Sequence, residues 1–365
     1  MKFSCPPRAV KRAHRPHEAH GTCRPSRSVA RTPILRAERQ SSYSPAFPGF
    51  PVSVPESAQG FSRRQFLARA GAGAVAAVVS APVVDRGVRS SLQAAGLGAP
   101  DARHVRTIPI GLELYAVRRE LARDLPGTLN AVAAMGYGVV EFYAPYLSWT
   151  LPFAKQVRTQ LDDLGLRCHS THNAFAALTP GDTMTKAIEL NQILGARHII
   201  LASPPATATG LEEWKRVSEQ LSTAVTLLAP HGLLAGFHNH LVEWTPMAGG
   251  VRIMDVLAAN TPADFVLQLD VGTCLEAGVD PVAWIQAHPG RIRSIHLKDW
   301  APGKDADDKG FRVLFGEGIG PWQRIMAAAE SVGGVEFYLI EQEGSRYSEF
   351  ESAKRCLDAY RAMRK

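Results

Sequence analysis

SIHLKD, residues 294–299, alternates apolar and polar side chains. Ile295 and Leu297 fall on one face of this run, and His296 and Lys298 fall on the other. Side chains of a β-strand point alternately to its two sides, so the period of two predicts a short strand. Because its polar face ends in ionisable groups, the carboxyl end of this strand is a candidate functional position.

Three other apolar runs share this design, each with a ligand-type side chain at its carboxyl end. They are LAGFHNH (234–240) with His238 and His240, VLQLDVG (266–272) with Asp270, and FYLIEQE (337–343) with Glu341 and Glu343. The segments that join the runs are long enough for a helix. A parallel barrel brings the carboxyl ends of its strands to one face, where the active sites of that fold lie. We therefore expect these four strand ends to meet.

Strand and helix patterns alternate along the whole chain from residue 104. Strands are also predicted at 107–117, 138–144, 166–174 and 197–203, and helices at 125–136, 151–164, 183–195, 210–230, 252–260, 280–288, 321–333 and 347–363. Eight strand–helix units in about 260 residues are typical of a (β/α)₈ TIM barrel. An open doubly wound sheet normally has a glycine-rich turn after its first strand, and GLELYAVR (111–118) is not one.

The net charge of +7 arises at the front of the chain. Residues 1–103 contain 16 Lys and Arg but only 5 Asp and Glu, which leaves 25 basic and 29 acidic residues, a net charge of −4, for the remainder. A nucleic-acid-binding domain normally has a basic surplus. The region that forms the predicted barrel, 104–365, is therefore not expected to bind nucleic acid.

The front of the chain has the composition of a disordered leader followed by an export signal. Residues 1–60 are rich in Pro, Ser, Arg and His and contain few apolar runs, which is typical of disorder. Residues 61–103 include SRRQFLARAGAGAVAAVVSAP (62–82), in which Arg63 and Arg64 precede an apolar run of small residues. This stretch resembles a twin-arginine signal.

The signal predicts export through the twin-arginine machinery of a bacterium, to the periplasm or beyond. We expect cleavage near residues 79–81 and a translation start nearer residue 50. A basic loop before a short buried helix is the competing interpretation of this segment. A stable membrane anchor is disfavoured, because about 20 strongly apolar residues are needed to span a bilayer and this run is short and rich in Ala and Gly.

The five cysteines do not form a disulfide pattern. Cys5 and Cys23 lie in the leader, and Cys168, Cys274 and Cys356 are widely spaced and odd in number. A domain of about 260 residues buries enough surface to fold without disulfides.

Asp270, His296 and Glu341 are of the ligand types that suit Mn²⁺, Mg²⁺, Co²⁺ or Zn²⁺. Each one alone has an ordinary explanation as a helix-capping Asp, a core His or a solvated Glu. Their occurrence on consecutive strand ends is harder to attribute to chance, and it predicts one shared divalent ion.

The motifs LDVG, HLKD and IEQE, with HNH on strand five, resemble the xylose isomerase-like sugar isomerase/epimerase superfamily over roughly residues 108–362. The resemblance implies that strands five to eight bind one divalent ion, with Asp270, His296 and Glu341 supplied by strands six to eight. Strand five departs from the epimerase pattern, because it offers His238 or His240 in place of a Glu. We favour His238, since the residues after it match the end of the family motif.

The resemblance implies an isomerase or epimerase that acts on a non-phosphorylated sugar, keto-sugar or cyclitol through a metal-stabilised enediolate. In the epimerases, two Glu exchange protons on opposite faces of the substrate, and the His on strand five departs from that scheme. Glu141, at the end of strand two, or Glu341 is expected to remove the proton. Loss of a β-hydroxyl from the same enediolate would instead make the protein an inosose dehydratase-like lyase.

Further site candidates each have a structural alternative. Lys298 is expected to contact a substrate oxygen or to pair with Asp270 or Asp299. The substrate-binding candidates are His172, in the loop after strand three, with His240 and Glu243, the last of which could instead orient an imidazole. Two other protein classes stay open: a metal-dependent endonuclease, which the net charge of −4 disfavours, and a sugar-binding protein without catalysis.

Overall fold

The computed structural model describes residues 107–303 and 309–365, so the predicted leader (1–60) and twin-arginine segment (61–103) lie outside the described residues. The strands are β1 (Ile110–Glu113), β2 (Val139–Phe142), β3 (Arg167–Ala174), β4 (His198–Ser203), β5 (Leu234–His238), β6 (Val266–Asp270), β7 (Ser294–Leu297) and β8 (Phe337–Ile340). Each strand pairs in parallel with the next, and β8 pairs with β1. This closed barrel confirms the predicted (β/α)₈ fold.

Helices cover the outside of the barrel. In the described residues they are α1 (Arg118–Arg123), α2 (Leu125–Met135), α3 (Leu151–Asp163), α4 (Asp182–Leu194), α5 (Leu211–Leu228), α6 (Leu241–Trp244), α7 (Ile253–Asn260), α8 (Val271–Glu276), α9 (Pro281–Ala287), α10 (Trp322–Ala328) and α11 (Glu349–Met363). No helix among them is long and apolar enough to cross a membrane.

Local signals in the sequence explain where several helices begin and end. Asp280 caps α9 by accepting a hydrogen bond from the Val282 amide at 2.8 Å, and Pro281 occupies the first helical position. Gly136 ends α2 with a φ of 98°, a left-handed conformation that glycine adopts without strain. The helices therefore end where the sequence predicts, and the chain turns there into the next strand.

The first strand is shorter than predicted. The expected strand at 107–117 comprises only Ile110–Glu113, and Leu114–Val117 forms a 3₁₀ turn. Leu114 and Val117 are fully buried in the main apolar core. The chain turns after Glu113 because the turn packs the side chains of Leu114 and Val117 into the main core between strands and helices. The other predicted elements are present with small shifts at their ends.

The interior of the barrel changes from apolar to polar along the strands. Val139, Phe337 and Leu339 form a small apolar cluster that is separate from the main core between strands and helices. Two residues further along the same chain segments are the buried carboxyl groups of Glu141 and Glu341. Since alternate residues share a face, the barrel is closed by apolar side chains at one level and lined by ionisable groups at its carboxyl end.

We expect Gly236→Ala to destabilise the protein by about 1–3 kcal/mol, the usual cost of overpacking a core. A Cβ atom at Gly236 would lie 2.5 Å from Cδ1 of Ile200 and 2.8 Å from Cβ of Val266, inside the barrel. Urea unfolding measures the effect. Gly138→Ala is the control, because its nearest neighbour would be the Ile110 carbonyl oxygen at 4.0 Å. Equal stability of the two variants would contradict the packing argument.

Candidate metal centre

Four ligand-type side chains meet at the carboxyl ends of β5 to β8. His238 and Asp270 are the last residues of β5 and β6, His296 lies in β7, and Glu341 directly follows β8. One potential ligand atom of each lies within 4.8 Å of the others, and all four residues are buried. This cluster contains His238 and not His240. The barrel therefore brings together the four side chains that the sequence suggested for one ion.

His296 lies between two carboxylates. Its Nδ1 is 2.5 Å from Oε2 of Glu341, and its Nε2 is 2.8 Å from Oε2 of Glu141. Burial opposes a charged imidazole, but the charge of Glu141 and the hydrogen bonds to both carboxylates outweigh it and raise the pKa of His296 well above its usual value. Without an ion, His296 is therefore an imidazolium that pairs with both acids.

One carboxylate oxygen of Asp270 accepts hydrogen bonds, and the other has no hydrogen-bond partner. Its Oδ1 caps α8 by accepting hydrogen bonds from the Thr273 amide at 2.7 Å and the Thr273 hydroxyl at 2.9 Å. Its Oδ2 is buried without a hydrogen-bond partner, and the nearest cation is Nζ of Lys298 at 3.9 Å. Burial raises the pKa of Asp270 to about 6 despite that ammonium. A buried, unpartnered carboxylate oxygen is costly, and an ion would satisfy it.

Lys298 is surrounded by acids. Its Nζ lies 3.5 Å from Oε1 of Glu341, and it also donates a hydrogen bond to Glu343. Burial disfavours the ammonium, but the carboxylates, Glu341 first, raise the pKa of Lys298 well above its usual value. The predicted contact with Asp270 is present at 3.9 Å. Lys298 therefore remains a cation at the edge of the cluster.

Glu141 is fully buried in a network of hydrogen bonds. Its Oε2 lies 2.8 Å from Nε2 of His296 and 3.1 Å from Nε2 of His172, and its Oε1 accepts from the Gln268 amide at 3.0 Å. Burial would raise the pKa of Glu141, but the two histidines lower it to about 2. This carboxylate is a weak base, and its contacts fit the orientation of imidazoles.

The predicted loop position of His172 is wrong, because His172 lies within β3, opposite Ile200 of β4. From this position in the strand, the His172 side chain points into the barrel, where its Nε2 lies 2.7 Å from Oε1 of Gln268. His172, His238 and His296 form a second group of potential ligands, which shares two members with the first.

His240 and Glu243 form the start of α6. Oε2 of Glu243 accepts a hydrogen bond from the backbone amide of His240 at 2.7 Å, which caps the helix. The same Glu243 oxygen lies 4.0 Å from Nδ1 of His240, beyond hydrogen-bond distance. Glu243 therefore orients the backbone of this segment and not the His240 ring. The His240 side chain is 30% exposed, and burial, followed by the charge of Lys298, lowers its pKa to about 4. His240 is thus a neutral imidazole at the mouth of the barrel.

Two residues of this centre, Gln268 and Glu113, were missed in the sequence, and Glu343 was noted there without a role. Gln268 on β6 is hydrogen bonded to four side chains of the cluster region. Both carboxyl oxygens of Glu113 are buried without a hydrogen-bond partner at the end of β1, and Glu343 pairs with Lys298. Glu113 could have been found, because it is a polar residue at the end of a predicted strand, like the other candidates. Gln268 could not, because a Gln within an apolar run does not indicate a functional site.

The donor set fits a divalent cation. Two imidazoles and two carboxylates suit Mn²⁺, Co²⁺ or Zn²⁺, and Mg²⁺ less well because it prefers oxygen. The unpartnered Oδ2 of Asp270 supports the fit. Even without Glu113, whose pKa burial raises well above its usual value, the region contains more carboxyl groups than cations: Glu141, Asp270, Glu341 and Glu343 against His296 and Lys298. A cation would reduce this excess of negative charge.

Asp299 anchors the loop that follows β7. Its carboxylate accepts five hydrogen bonds of 2.8 to 3.2 Å, from the backbone amides of Trp300, Gly316, Gly318 and Gly320 and from Nε1 of Trp322. The glycine-containing turn at 315–320 is thus held by Asp299. Trp322 is buried against this loop and has a packing role.

Comparisons with known proteins agree with this architecture. The xylose isomerase-like TIM barrel family matches residues 129–364. A sugar phosphate isomerase/epimerase from Parabacteroides distasonis is 24% identical, with a TM-score of 0.59 over 72% of this chain and 96% of that chain. A search of curated proteins found no match.

Two more distant structures share the fold. A probable 3-DHS dehydratase from Bacillus anthracis is 13% identical, with a TM-score of 0.53 over 70% of this chain and 99% of that chain. The IOLI protein, solved with a binding zinc atom, is 14% identical, with a TM-score of 0.52 over 69% of this chain and 96% of that chain. By its sequence match and its closed barrel, this chain belongs to the xylose isomerase-like TIM barrel family.

Proposed function

We propose that this protein is a metal-dependent isomerase or epimerase of a non-phosphorylated sugar, keto-sugar or cyclitol. The observation that carries the proposal is the buried cluster of His238, Asp270, His296 and Glu341, with Lys298 beside it, at the carboxyl end of the barrel. These four residues would hold one divalent ion. A bound divalent ion acts as a Lewis acid that polarises a carbonyl group.

The side chains around the cluster have separate tasks in this proposal. Glu141 holds His296 and His172 in place through contacts of 2.8 and 3.1 Å. Lys298, kept charged by its acids, donates hydrogen bonds to a substrate oxygen. Glu341 and His240 are the two candidate acceptors for the proton on the carbon next to the carbonyl. Glu341 is a carboxylate of the cluster, and His240 is a neutral, partly exposed imidazole whose lowered pKa makes it a weak base.

The charges favour a neutral substrate. Glu341 and Glu343 flank Lys298, the lysine of the cluster, and compete with any anionic substrate for it. A phosphate group would bring further negative charge to a region that already has an excess of carboxyl groups. This supports a non-phosphorylated sugar or cyclitol as the substrate.

A lyase is the second candidate function, favoured by the imidazole at the end of β5. An epimerase needs proton donors and acceptors on both faces of the substrate carbon. Here the strand-five position is His238, whose Nδ1 is bound to Gln268 at 3.0 Å. With an acceptor on one face of the substrate, removal of a proton followed by loss of a neighbouring hydroxyl would release water instead of restoring a C–H bond.

Metal content and proton exchange test the proposal together. The purified protein is expected to contain, or to take up, about one Mn, Co, Zn or Mg ion per chain. With keto-sugars in deuterated water, the metal-loaded enzyme is expected to exchange the proton next to the carbonyl. New sugar products would indicate an isomerase, and unsaturated products a lyase. A folded protein that takes up no ion from Mn²⁺ or Co²⁺ solutions would exclude the proposed function.

Metal binding at pH 7 is expected to release about one proton per ion. The pKa of His296 is raised well above its usual value, so its ring carries two protons before the ion binds and must lose one to become a ligand. Affinity should therefore increase as the pH rises above 7. Calorimetric titration in buffers with different ionisation enthalpies measures the released proton. Binding enthalpies that do not depend on the buffer would contradict a charged His296.

A further inference from the structure

Both ends of the Gln268 side-chain amide make hydrogen bonds inside the barrel. It is fully buried on β6, two residues before Asp270. Its Oε1 lies 2.7 Å from Nε2 of His172 and 3.0 Å from Nδ1 of His238. Its Nε2 donates to Oε1 of Glu141 and to the Ser294 hydroxyl, both at 3.0 Å. One buried side chain thus links four other strands of the barrel, β2, β3, β5 and β7, to its own.

The partners determine which way the amide points. An ionised carboxylate only accepts hydrogen bonds, so the end of the amide that faces Glu141 must be the NH₂ group. The oxygen then faces the two imidazoles, and both rings must donate to it. His172 therefore carries a proton on Nε2, and His238 carries one on Nδ1.

These protons affect the two overlapping groups of potential ligands. Both groups contain His238 and His296; one adds His172, and the other adds Asp270 and Glu341. With Nδ1 of His238 protonated, Nε2 is its ring nitrogen with a free lone pair. With Nε2 of His172 donating to Gln268 and lying 3.1 Å from Glu141, that nitrogen has no lone pair for an ion.

We propose that Gln268 is a positioning residue that selects the metal site: it presents Nε2 of His238 as the ligand atom and keeps Nε2 of His172 from binding the ion. This inference rests on the proposed function, since it concerns the same ion. Gln268 itself has no role as a ligand, because both ends of its amide are occupied. It acts through the histidines.

Cobalt binding to the purified full-length protein tests the inference. Gln268→Met, which removes the amide at similar size, should weaken Co²⁺ binding about 10- to 100-fold, the usual effect of losing a hydrogen bond to a metal ligand. It should also alter the visible Co²⁺ spectrum, because His172 becomes free to bind. Gln268→Glu keeps an acceptor for both rings but loses the donor to Glu141, so it should restore the wild-type spectrum only in part.

Asn191→Leu is the matched control. Asn191 is also a buried amide, bonded to Tyr146 and Thr171 at 2.8 Å, but it is in neither group of potential ligands. Its replacement should lower stability without changing the Co²⁺ spectrum. A Gln268→Met variant with wild-type Co²⁺ affinity and spectrum would overturn the inference and leave the proposed function intact, whereas a wild type that binds no Co²⁺ would remove the proposed function first.

A measurement on the wild type covers the case in which Gln268→Met does not fold. Long-range ¹H–¹⁵N spectra of metal-free, histidine-labelled protein report which ring nitrogen is protonated, and His238→Gln identifies the signal. The Nδ1–H form of His238 is expected. The Nε2–H form would overturn the inference without any Gln268 variant.

Discussion

Replacing His296 with alanine is expected to abolish stoichiometric metal binding and with it turnover. His296 is one of the four candidate ligands, and its ring contacts two of the carboxylates around the site, at 2.5 and 2.8 Å. Loss of an outer contact alone typically lowers metal affinity 10- to 100-fold, so loss of a ligand should lower it by more than about 100-fold. Metal analysis after dialysis and calorimetric titration measure this loss.

The same substitution should destabilise the metal-free protein by about 3–5 kcal/mol at neutral pH, because it leaves the buried Glu141 and Glu341 without their shared cation. Urea unfolding in the presence of a chelator measures this separately from metal binding. A variant with wild-type stability would show that His296 does not neutralise these acids.

His198→Ala is the matched control for both measurements. His198 is an equally buried histidine of β4 that contacts Glu336 at 3.5 Å and belongs to neither group of potential ligands. This variant should retain about one ion per chain. Equal loss of metal in the two variants would mean that the loss reflects general damage to the barrel and not the removal of a ligand.

Replacing Asp299 with alanine is expected to cost about 3–5 kcal/mol of stability, since buried hydrogen bonds to a charged group are worth about 1.5–3 kcal/mol each and are not additive. Five N–H groups donate to this carboxylate, and three of them come from glycines of the 315–320 turn. The sequence around the turn is adapted to this contact: a Cβ atom at Gly318 would lie 2.2 Å from Oδ1 of Asp299. Without the carboxylate, these amides face a cavity.

Asp299→Asn should recover only part of the loss, because its NH₂ group would face other donors. Urea unfolding gives the stability, and hydrogen exchange at the Gly316, Gly318 and Gly320 amides shows whether the turn opens locally. Asp280→Ala is the control, as an ordinary helix cap worth about 0.5–2 kcal/mol. Unchanged exchange at the three glycines would contradict the role given to Asp299.

Much of the fold could be predicted because its signals are local. Helix ends at Gly136 and Asp280 depend on residues that are neighbours in sequence, and both were predicted correctly. The apolar runs that end in Asp270 and His296 are strands for the same reason. The length of the first strand was wrong because burial of Leu114 and Val117, a tertiary effect, overrides the local pattern.

The sequence by itself determined the eight alternating units and the side chains at the ends of four strands. Only the tertiary structure decided which other side chains lie beside these four strand ends. Closure of the barrel places Glu113 of β1 opposite Glu141 and near His172 of β3, and it sets Gln268 between two histidines. The physical reason is that these contacts join residues up to 96 positions apart in the chain and depend on strand register, which no short stretch of sequence specifies.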